Sequence, residues 1–377
     1  MPKSHSIHYP LSGLFAVNKP SGPTSMALLD SIKPLFGYSQ LFKPYEDAPP
    51  PVAADKKKKG NKWRKSKGGG PRGIGGYAVK VGQGGTLDPL ADGVLVVGLN
   101  KGTKRLADLL SCSKEYTAIG LLGCETDSYD SKGAVVSKSP WQHVTKSDIE
   151  KALEGFRGEI DQLPPIFSAI KIEGKRLFEY ARAGETPPKP VETRKCTIHS
   201  LSLEEFIPGD KHSFSYPAQE LSEEDKAAAQ KAQEFVSHSG ESEESKPSND
   251  SKDSDNQDND DDDQIDKALL EETTQQPTAF KLRMTVSGGT YVRSIVHDLG
   301  KALGTSAHVV ELTRTRQGDF ALDQATTEDG GVSTGKSVID WSVFEKALAE
   351  RSESDEYKEG ELKEWEQRLI SVIKTEV

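Results

Sequence analysis

The chain has 377 residues, of which 34% are hydrophobic and 29% charged, a balance that implies a folded core diluted by polar segments. Its net charge of -10 excludes nucleic acid only as an average: residues 218–272 hold 19 acidic and 5 basic side chains, and without them the chain is net positive. Three scattered cysteines (Cys112, Cys124, Cys196) form no CxxC pair, which excludes a visible metal framework and fits a reducing compartment, and no apolar run reaches the roughly 18 residues of a membrane span.

Met1 to Leu11 has neither the apolar region of a signal peptide nor the Arg-rich pattern of a transit peptide. GLFAVNKP (13–20) reads as a short strand ending in a turn. Thr24 to Ile32 predicts a helix, with Thr24 or Ser25 as N-cap and Pro34 as its stop. Residues 41–80 carry 11 basic and 3 acidic side chains, and KKKKGNKWRKSKGGGPRGIGG predicts a flexible loop. A solvated linker, an RNA-phosphate contact and a nuclear-import signal are its alternative readings. Order resumes at Tyr77. GVLVVG (93–98) predicts a buried strand, and EYTAIGLL (115–122) predicts another. Thr145 to Gly155 predicts a helix capped by Thr145 and ended by Gly155. Phe167 to Ile172 predicts a strand, Arg176 to Ala183 a helix stopped by Gly184, and Thr197 to Phe206 a strand. Pro217 to Thr278, with its DNDDDD run, predicts disorder. Phe280 to Val286 reads as a strand, Tyr291 to Leu303 as a helix whose first turn carries Arg293, and Tyr357 to Lys374 as a charged amphipathic helix.

Three segments carry candidate chemistry. In VGQGGTLDPLADGVLVVGLNKGTK (81–104), Gly82, Gly84 and Gly85 permit close approach of a ligand, and Asp88-Pro89 sets a carboxylate in a rigid loop before a buried strand. A plain turn aspartate is the alternative. In SGGTYVRS (287–294), Arg293 is suited to keep a buried carboxylate ionised; a helix-start arginine is its plain reading. In SKEY (113–116), Tyr116 is suited to stack on a base; a half-buried strand tyrosine is its plain reading. Two further patterns are rejected. GGVSTGKS (330–337) satisfies the phosphate-loop pattern, but polar LDQATTED precedes it where a buried strand is required. GGGPRG (68–73) satisfies GxGxxG within low-complexity sequence and with no strand before it.

Taken in order, the motifs resemble those of the TruB family, the tRNA pseudouridine-55 synthases. They are VNKPSGPTS (17–25), GGTLDPLADGVLVVGLNKGTK, SKEYTAIGLLGCETDSYDSKG (113–133), LPPIFSAIKIEGKRLFEYARAG (163–184) and SGGTYVRSIVHDLGKALGTSAHVVELTRTRQG (287–318). The resemblance implies an α/β (α+β) pseudouridine synthase fold with a mixed, largely antiparallel central sheet flanked by helices and two disordered insertions. It divides the chain into a catalytic domain (1–40, 77–206 and 280–330), a basic flexible insertion (41–76), an acidic disordered insertion (217–278) and a helical C-terminal extension (331–377). It implies isomerisation of a uridine in the TΨC loop of tRNA, with no cofactor, no metal, no membrane and no obligatory protein partner. Structured messenger RNA stays open as a further target.

Carried over by position, Asp88 is the implied nucleophile. Tyr116 is implied to stack on the flipped uracil and Arg293 to pair with Asp88. Lys19, Gln83 and Tyr291 complete the implied substrate-binding set. Gln83 departs from the pattern, because many members carry histidine there. Glutamine can hydrogen-bond but not titrate. The two insertions resemble the fungal branch, which serves nucleus and mitochondria. Two other readings stand beside this one: a guide-RNA-dependent synthase of the dyskerin type, and a non-enzymatic tRNA-binding module. GGTLDPLADGVL fits the stand-alone enzymes better, and a binding module would have no need of Asp88, Tyr116 and Arg293 together.

Overall fold

The computed structural model describes residues 9–43, 79–183, 185–222, 275–326, 332–334, 337–351 and 361–375. Its strands are β1 Gly13–Lys19, β2 Val81–Gln83, β3 Asp92–Leu99, β4 Lys114–Leu122, β5 Cys124–Thr126, β6 Val135–Lys138, β7 Gly158–Gln162, β8 Lys171–Ile172, β9 Lys175–Arg176, β10 Arg194–Ile207, β11 Ala279–Val286, β12 Ala307–Gln317, β13 Phe320–Ala321, β14 Asp323–Thr326, β15 Val332–Thr334 and β16 Val338–Asp340. Its helices are α1 Ser25–Tyr38, α2 Leu106–Ser111, α3 Lys146–Ala152, α4 Leu177–Arg182, α5 Val292–Ala302, α6 Trp341–Ala349 and α7 Glu364–Val372. The chain divides into two units, Met1–Cys112 with Arg314–Val377, and Ser113–Thr313.

In the first unit, β1 pairs antiparallel with β3 and parallel with β16, and β2 pairs with the end of β3. The runs GLFAVNK and DGVLVVGL are apolar almost throughout because both faces of this sheet are covered. On one face Phe15 meets Phe36 of α1 and Phe344 of α6, each at 6.3 Å between ring centroids, and Trp365 of α7 lies 5.7 Å from Phe36. On the other face Leu14, Ala16, Val94 and Val96 pack with Leu109 of α2 and with Phe320.

Helix α1 begins as predicted, with the Thr24 side chain accepting from Ala27 N at 3.1 Å. It does not stop at Pro34, which lies inside it. An internal proline costs about 3 kcal/mol. Leu35 and Phe36 lie beyond it and are buried with Leu28, Leu29 and Ile32. Each such side chain contributes about 1.5–3 kcal/mol, so burial of the last turn outweighs the lost hydrogen bond. The C-terminal helix is shorter than predicted. It covers Glu364–Val372, residues 357–360 lie outside the described residues, and Lys374 leaves the helix to exchange backbone hydrogen bonds with Leu14 at 2.7 and 3.0 Å.

In the second unit β4, β11, β10 and β7 form an antiparallel series in that order. FKLRMTV alternates as a strand with one covered face should: Phe280, Leu282, Met284 and Val286 are buried, and the residues between them are half-buried. Helix α5 packs on β4, and α3 packs on α5. The Thr145 cap is present as a capping box with Asp148, but the predicted helix is broken. It ends at Ala152, and Gly155 falls within a 3-10 turn, Leu153–Phe156. Of the predicted strand 167–172 only Lys171–Ile172 forms, because the carbonyls of Phe167 and Ser168 accept from Arg293 and from Phe178 N instead of from a ladder.

The basic stretch 44–78, including GGGPRG, and residues 223–274 of the acidic tract lie outside the described residues. The flank of the acidic tract is placed: Val135 N donates to Gln219 O at 2.8 Å, and Leu221 N to Val135 O at 3.1 Å. GGVSTGKS is followed by strand β16, not by the helix a phosphate loop requires. Both units are α/β, with mixed or antiparallel sheets flanked by helices, which is the predicted class. Among the described residues no helix is long and apolar enough to cross a membrane.

Gly93, at the start of β3, has φ +97°, and a Cβ there would lie 2.3 Å from the Arg314 carbonyl oxygen. Both objections are to backbone, so neither relaxes cheaply. Gly93→Ala is expected to destabilise the fold by about 2–5 kcal/mol in urea titrations. A loss below about 1 kcal/mol would show that the β3 entry tolerates a side chain.

Candidate active site

The segment between β2 and β3 is fastened at almost every residue. Gly84 N donates to Val96 O at 2.9 Å. The Gly84 carbonyl accepts from Gln317 Nε2 at 2.7 Å and the Gly85 carbonyl from Arg314 Nη2 at 3.0 Å. Arg314 is 1% exposed and also donates through Nε to Val94 O at 2.7 Å. Ser25 Oγ donates to Leu87 O at 3.0 Å and accepts from Leu87 N at 2.9 Å. Ala91 N donates to Asp88 O, closing a tight turn. Gly22 N, Ser21 Oγ and Lys19 Nζ then donate to the carbonyls of Pro89, Leu90 and Ala91 at 2.8, 2.6 and 2.6 Å. The N-terminal motif KPSGPTS thus has a physical role: it holds the backbone on both sides of Asp88. Asp88 itself is half-buried. A loop fastened in this way holds a carboxylate in one place, which is what a positioned acid, base or nucleophile requires.

Lys19 is fully buried. Burial lowers its pKa to about 8, against the opposing pull of the Asp92 and Asp88 charges and with help from Arg314. Between that value and the ordinary 10.5 the unfolded chain binds more protons than the native one, so this group makes stability rise with pH across that window. The difference in unfolding free energy between wild type and Lys19→Met is therefore expected to grow from pH 8 to pH 10. A difference flat in pH would show that Lys19 titrates at its ordinary value. Gln83 is half-buried; its Nε2 donates to Thr86 Oγ1 at 3.1 Å, and its Oε1 is buried without a hydrogen-bond partner among the described residues.

The second unit carries the other predicted residues. Tyr116 of β4 is 8% exposed and stands opposite Met284 of β11. Its neighbour Glu115 is buried and pairs with Arg283 at 2.9 Å. Arg293, the second residue of α5, is 3% exposed. Its Nη1 donates to Ser128 O at 2.6 Å and its Nη2 to Phe167 O at 2.9 Å, and its Nε lies 3.8 Å from Asp130 Oδ2. The Asp130 carboxylate also accepts from Ser128 Oγ at 2.8 Å and Lys132 N at 2.9 Å. The planar fork of arginine suits this arrangement of diverging acceptors. Tyr291, the N-cap of α5, is held by its backbone: its N donates to Gln162 Oε1 at 2.7 Å, and Gln162 Nε2 donates to its carbonyl at 2.9 Å. The start of the helix, and with it Arg293, is thereby fixed.

Lys19, Gln83 and Asp88 thus lie in the first unit, and Tyr116, Tyr291 and Arg293 in the second. Sequence reasoning missed Ser21, Ser25, Arg314, Gln317, Asp130 and Gln162. One signal was present: AHVVELTRTRQ sets buried Arg314 and Arg316 in a strand that otherwise reads as core, and a buried arginine needs acceptors.

Residues 74–219 match the family described as TruB family pseudouridylate synthase (N terminal domain), and residues 293–330 match the tRNA pseudouridylate synthase B C-terminal domain. The chain is 37% identical over 343 residues to tRNA pseudouridine synthase 4 of Schizosaccharomyces pombe, covering 84% of this chain and 81% of that protein. It is 31% identical to tRNA pseudouridine synthase 4 of Saccharomyces cerevisiae (97% and 91% covered) and 34% identical to human pseudouridylate synthase TRUB1 (85% and 65% covered). Among solved structures it is similar to a chain in the crystal structure of a Cbf5-Nop10-Gar1 complex, with 20% identity, a TM-score of 0.44, and 96% of this chain and 60% of that chain covered.

Proposed function

The chain belongs to the TruB family of pseudouridylate synthases, as a tRNA pseudouridine synthase, and on that footing we propose that it acts without a guide RNA on uridine 55 in the TΨC loop of tRNA. The observation that carries the site assignment is the fastening of residues 84–91 around Asp88 by Lys19, Ser21, Gly22, Ser25, Arg314 and Gln317. So many bonds spent on one short loop are explained by a carboxylate whose position matters.

The reaction is an isomerisation. The C1′–N1 bond breaks, the uracil turns, C5 bonds to C1′, the C5 proton is lost and N1 gains one. No electrons are exchanged with a partner, so the chemistry needs a positioned carboxylate and a held base. Asp88 acts either by attacking C1′ or by taking the C2′ proton. The uridine must first leave the stack of its loop, at a cost of a few kcal/mol, which stacking on Tyr116 offsets. The resemblance gives Arg293 the role of cationic partner to the Asp88 carboxylate. Gln83, at the position where many members carry histidine, belongs to the set that handles the extruded nucleotide. Lys19 and Tyr291 hold their segments through the contacts described above.

The test is to incubate purified protein, without guide RNA, with an unmodified tRNA transcript and with a messenger-RNA hairpin bearing the same loop, and to map pseudouridine. One product at position 55 of the tRNA is expected. Product only on addition of a guide RNA would transfer the reading to the guide-dependent class, and binding without product under any condition would reduce the protein to a tRNA-binding module.

A further inference from the structure

One turn beyond Arg293 on α5, His297 is 3% exposed, yet both ring nitrogens face carboxylates. Nε2 lies 3.0 Å from Glu125 Oε1 of β5, and Nδ1 lies 3.0 Å from Asp298 Oδ1. A neutral imidazole offers one N–H and one lone pair, so between two carboxylates it would turn the lone pair on one of them. Only the doubly protonated ring satisfies both. Burial works against that charge, but the hydrogen bonds to Asp298 and Glu125 and the charge of Glu125 outweigh it and hold the pKa of His297 above its ordinary value. Lys301 of α5 also bears on the ring, its charge opposing protonation, and Ser137 of β6 donates to Glu125 Oε2 at 3.5 Å.

The face of the ring is also engaged. Tyr129 stacks on it with centroids 3.8 Å apart and planes 16° from parallel. Tyr129 has φ +61°, a left-handed backbone that a residue with a side chain keeps only when its surroundings impose it. It sits between Ser128, whose carbonyl accepts from Arg293, and Asp130, whose carboxylate faces Arg293. Thr126 Oγ1 closes the turn by donating to Asp130 O at 2.8 Å.

We propose that His297 is a positioning residue for pseudouridine formation: by pinning Glu125 and the Tyr129 ring it fixes the Thr126–Asp130 loop that orients the Arg293 guanidinium. Its reach to the reaction rests on the role proposed above for Arg293. His297 touches no reacting atom; it sets the acceptors that set the arginine. When His297 deprotonates, one of its two bonds becomes a lone-pair repulsion and the loop loosens, so turnover falls as pH rises through its pKa.

The test is single-turnover pseudouridine formation at saturating enzyme between pH 6 and 9, with tRNA Kd and thermal melts, for wild type, His297→Phe, Arg293→Lys and the double variant. His297→Phe keeps a ring under Tyr129 and removes both hydrogen bonds. It is expected to slow the chemical step about tenfold with Kd within about threefold, and to lack the alkaline fall of the wild-type profile. In the Arg293→Lys background the same change should cost less than about threefold, because its target is already altered. A tenfold cost in both backgrounds, or a wild-type rate and profile for His297→Phe, would overturn the proposal. If His297→Phe does not fold, Glu125→Gln keeps the size and the acceptor but removes the charge, and should move the alkaline fall to lower pH; an unmoved fall is equally fatal. Full activity of Arg293→Lys alone would instead remove the role given to Arg293, whatever His297 does.

Discussion

Replacing Arg293 by methionine is expected to abolish measurable turnover and to cost about 3–5 kcal/mol of stability. Methionine fills much of the volume but donates nothing. The carbonyls of Ser128 and Phe167 lose their donor, and the buried Asp130 carboxylate loses the cation 3.8 Å away. Breaking a buried pair from one side is costly because the remaining charge stays in place without its partner. Arg293→Lys separates the two effects. A lysine restores the charge but is a point donor and cannot span acceptors on two different segments. Its stability loss should be about 1–2 kcal/mol, whereas its single-turnover rate should still fall about a hundredfold. Urea titration read beside single-turnover kinetics checks both. A methionine variant with wild-type stability would mean that the cage around Arg293 is not what holds the loop.

The large elements were legible because burial writes itself into local patterns. Both faces of β1 and β3 are covered, so their sequences are apolar runs; β11 has one covered face, so FKLRMTV alternates. Pro34 shows where a local rule fails. Its penalty is real, but the burial of Leu35 and Phe36 is a property of the packed unit and is invisible in the helix sequence. The site was legible to a different depth. Asp88 stood out as a carboxylate in a glycine-rich loop, and the order of the motifs gave that loop its meaning. How the separate motifs meet was not legible. Ser25 meets Leu87 across 62 residues, Arg314 meets Gly85 across 229, and Gln317 meets Gly84 across 233. No local pattern encodes a contact at such separations. The same holds for His297, whose partner Glu125 is 172 residues away. In the sequence it is one polar residue in a helix.

A loop held this firmly makes Asp88 a clean target for substitution. Its turn is closed by its own backbone carbonyl, which accepts from Ala91 N, and the flanking carbonyls are held by Gly22, Ser21 and Lys19. An asparagine at 88 keeps nearly the same shape, removes the negative charge and replaces one carboxylate oxygen by an amide NH2. It can neither bond to C1′ nor accept the C2′ proton. The central measurement is therefore single-turnover pseudouridine formation on unmodified tRNA by Asp88→Asn, with tRNA Kd measured on the same preparation. The expected result is a loss of about 10⁴-fold or more in rate with Kd within about threefold of wild type. A variant that binds tRNA normally and converts it within about tenfold of the wild-type rate would contradict the assignment of Asp88 as the nucleophile.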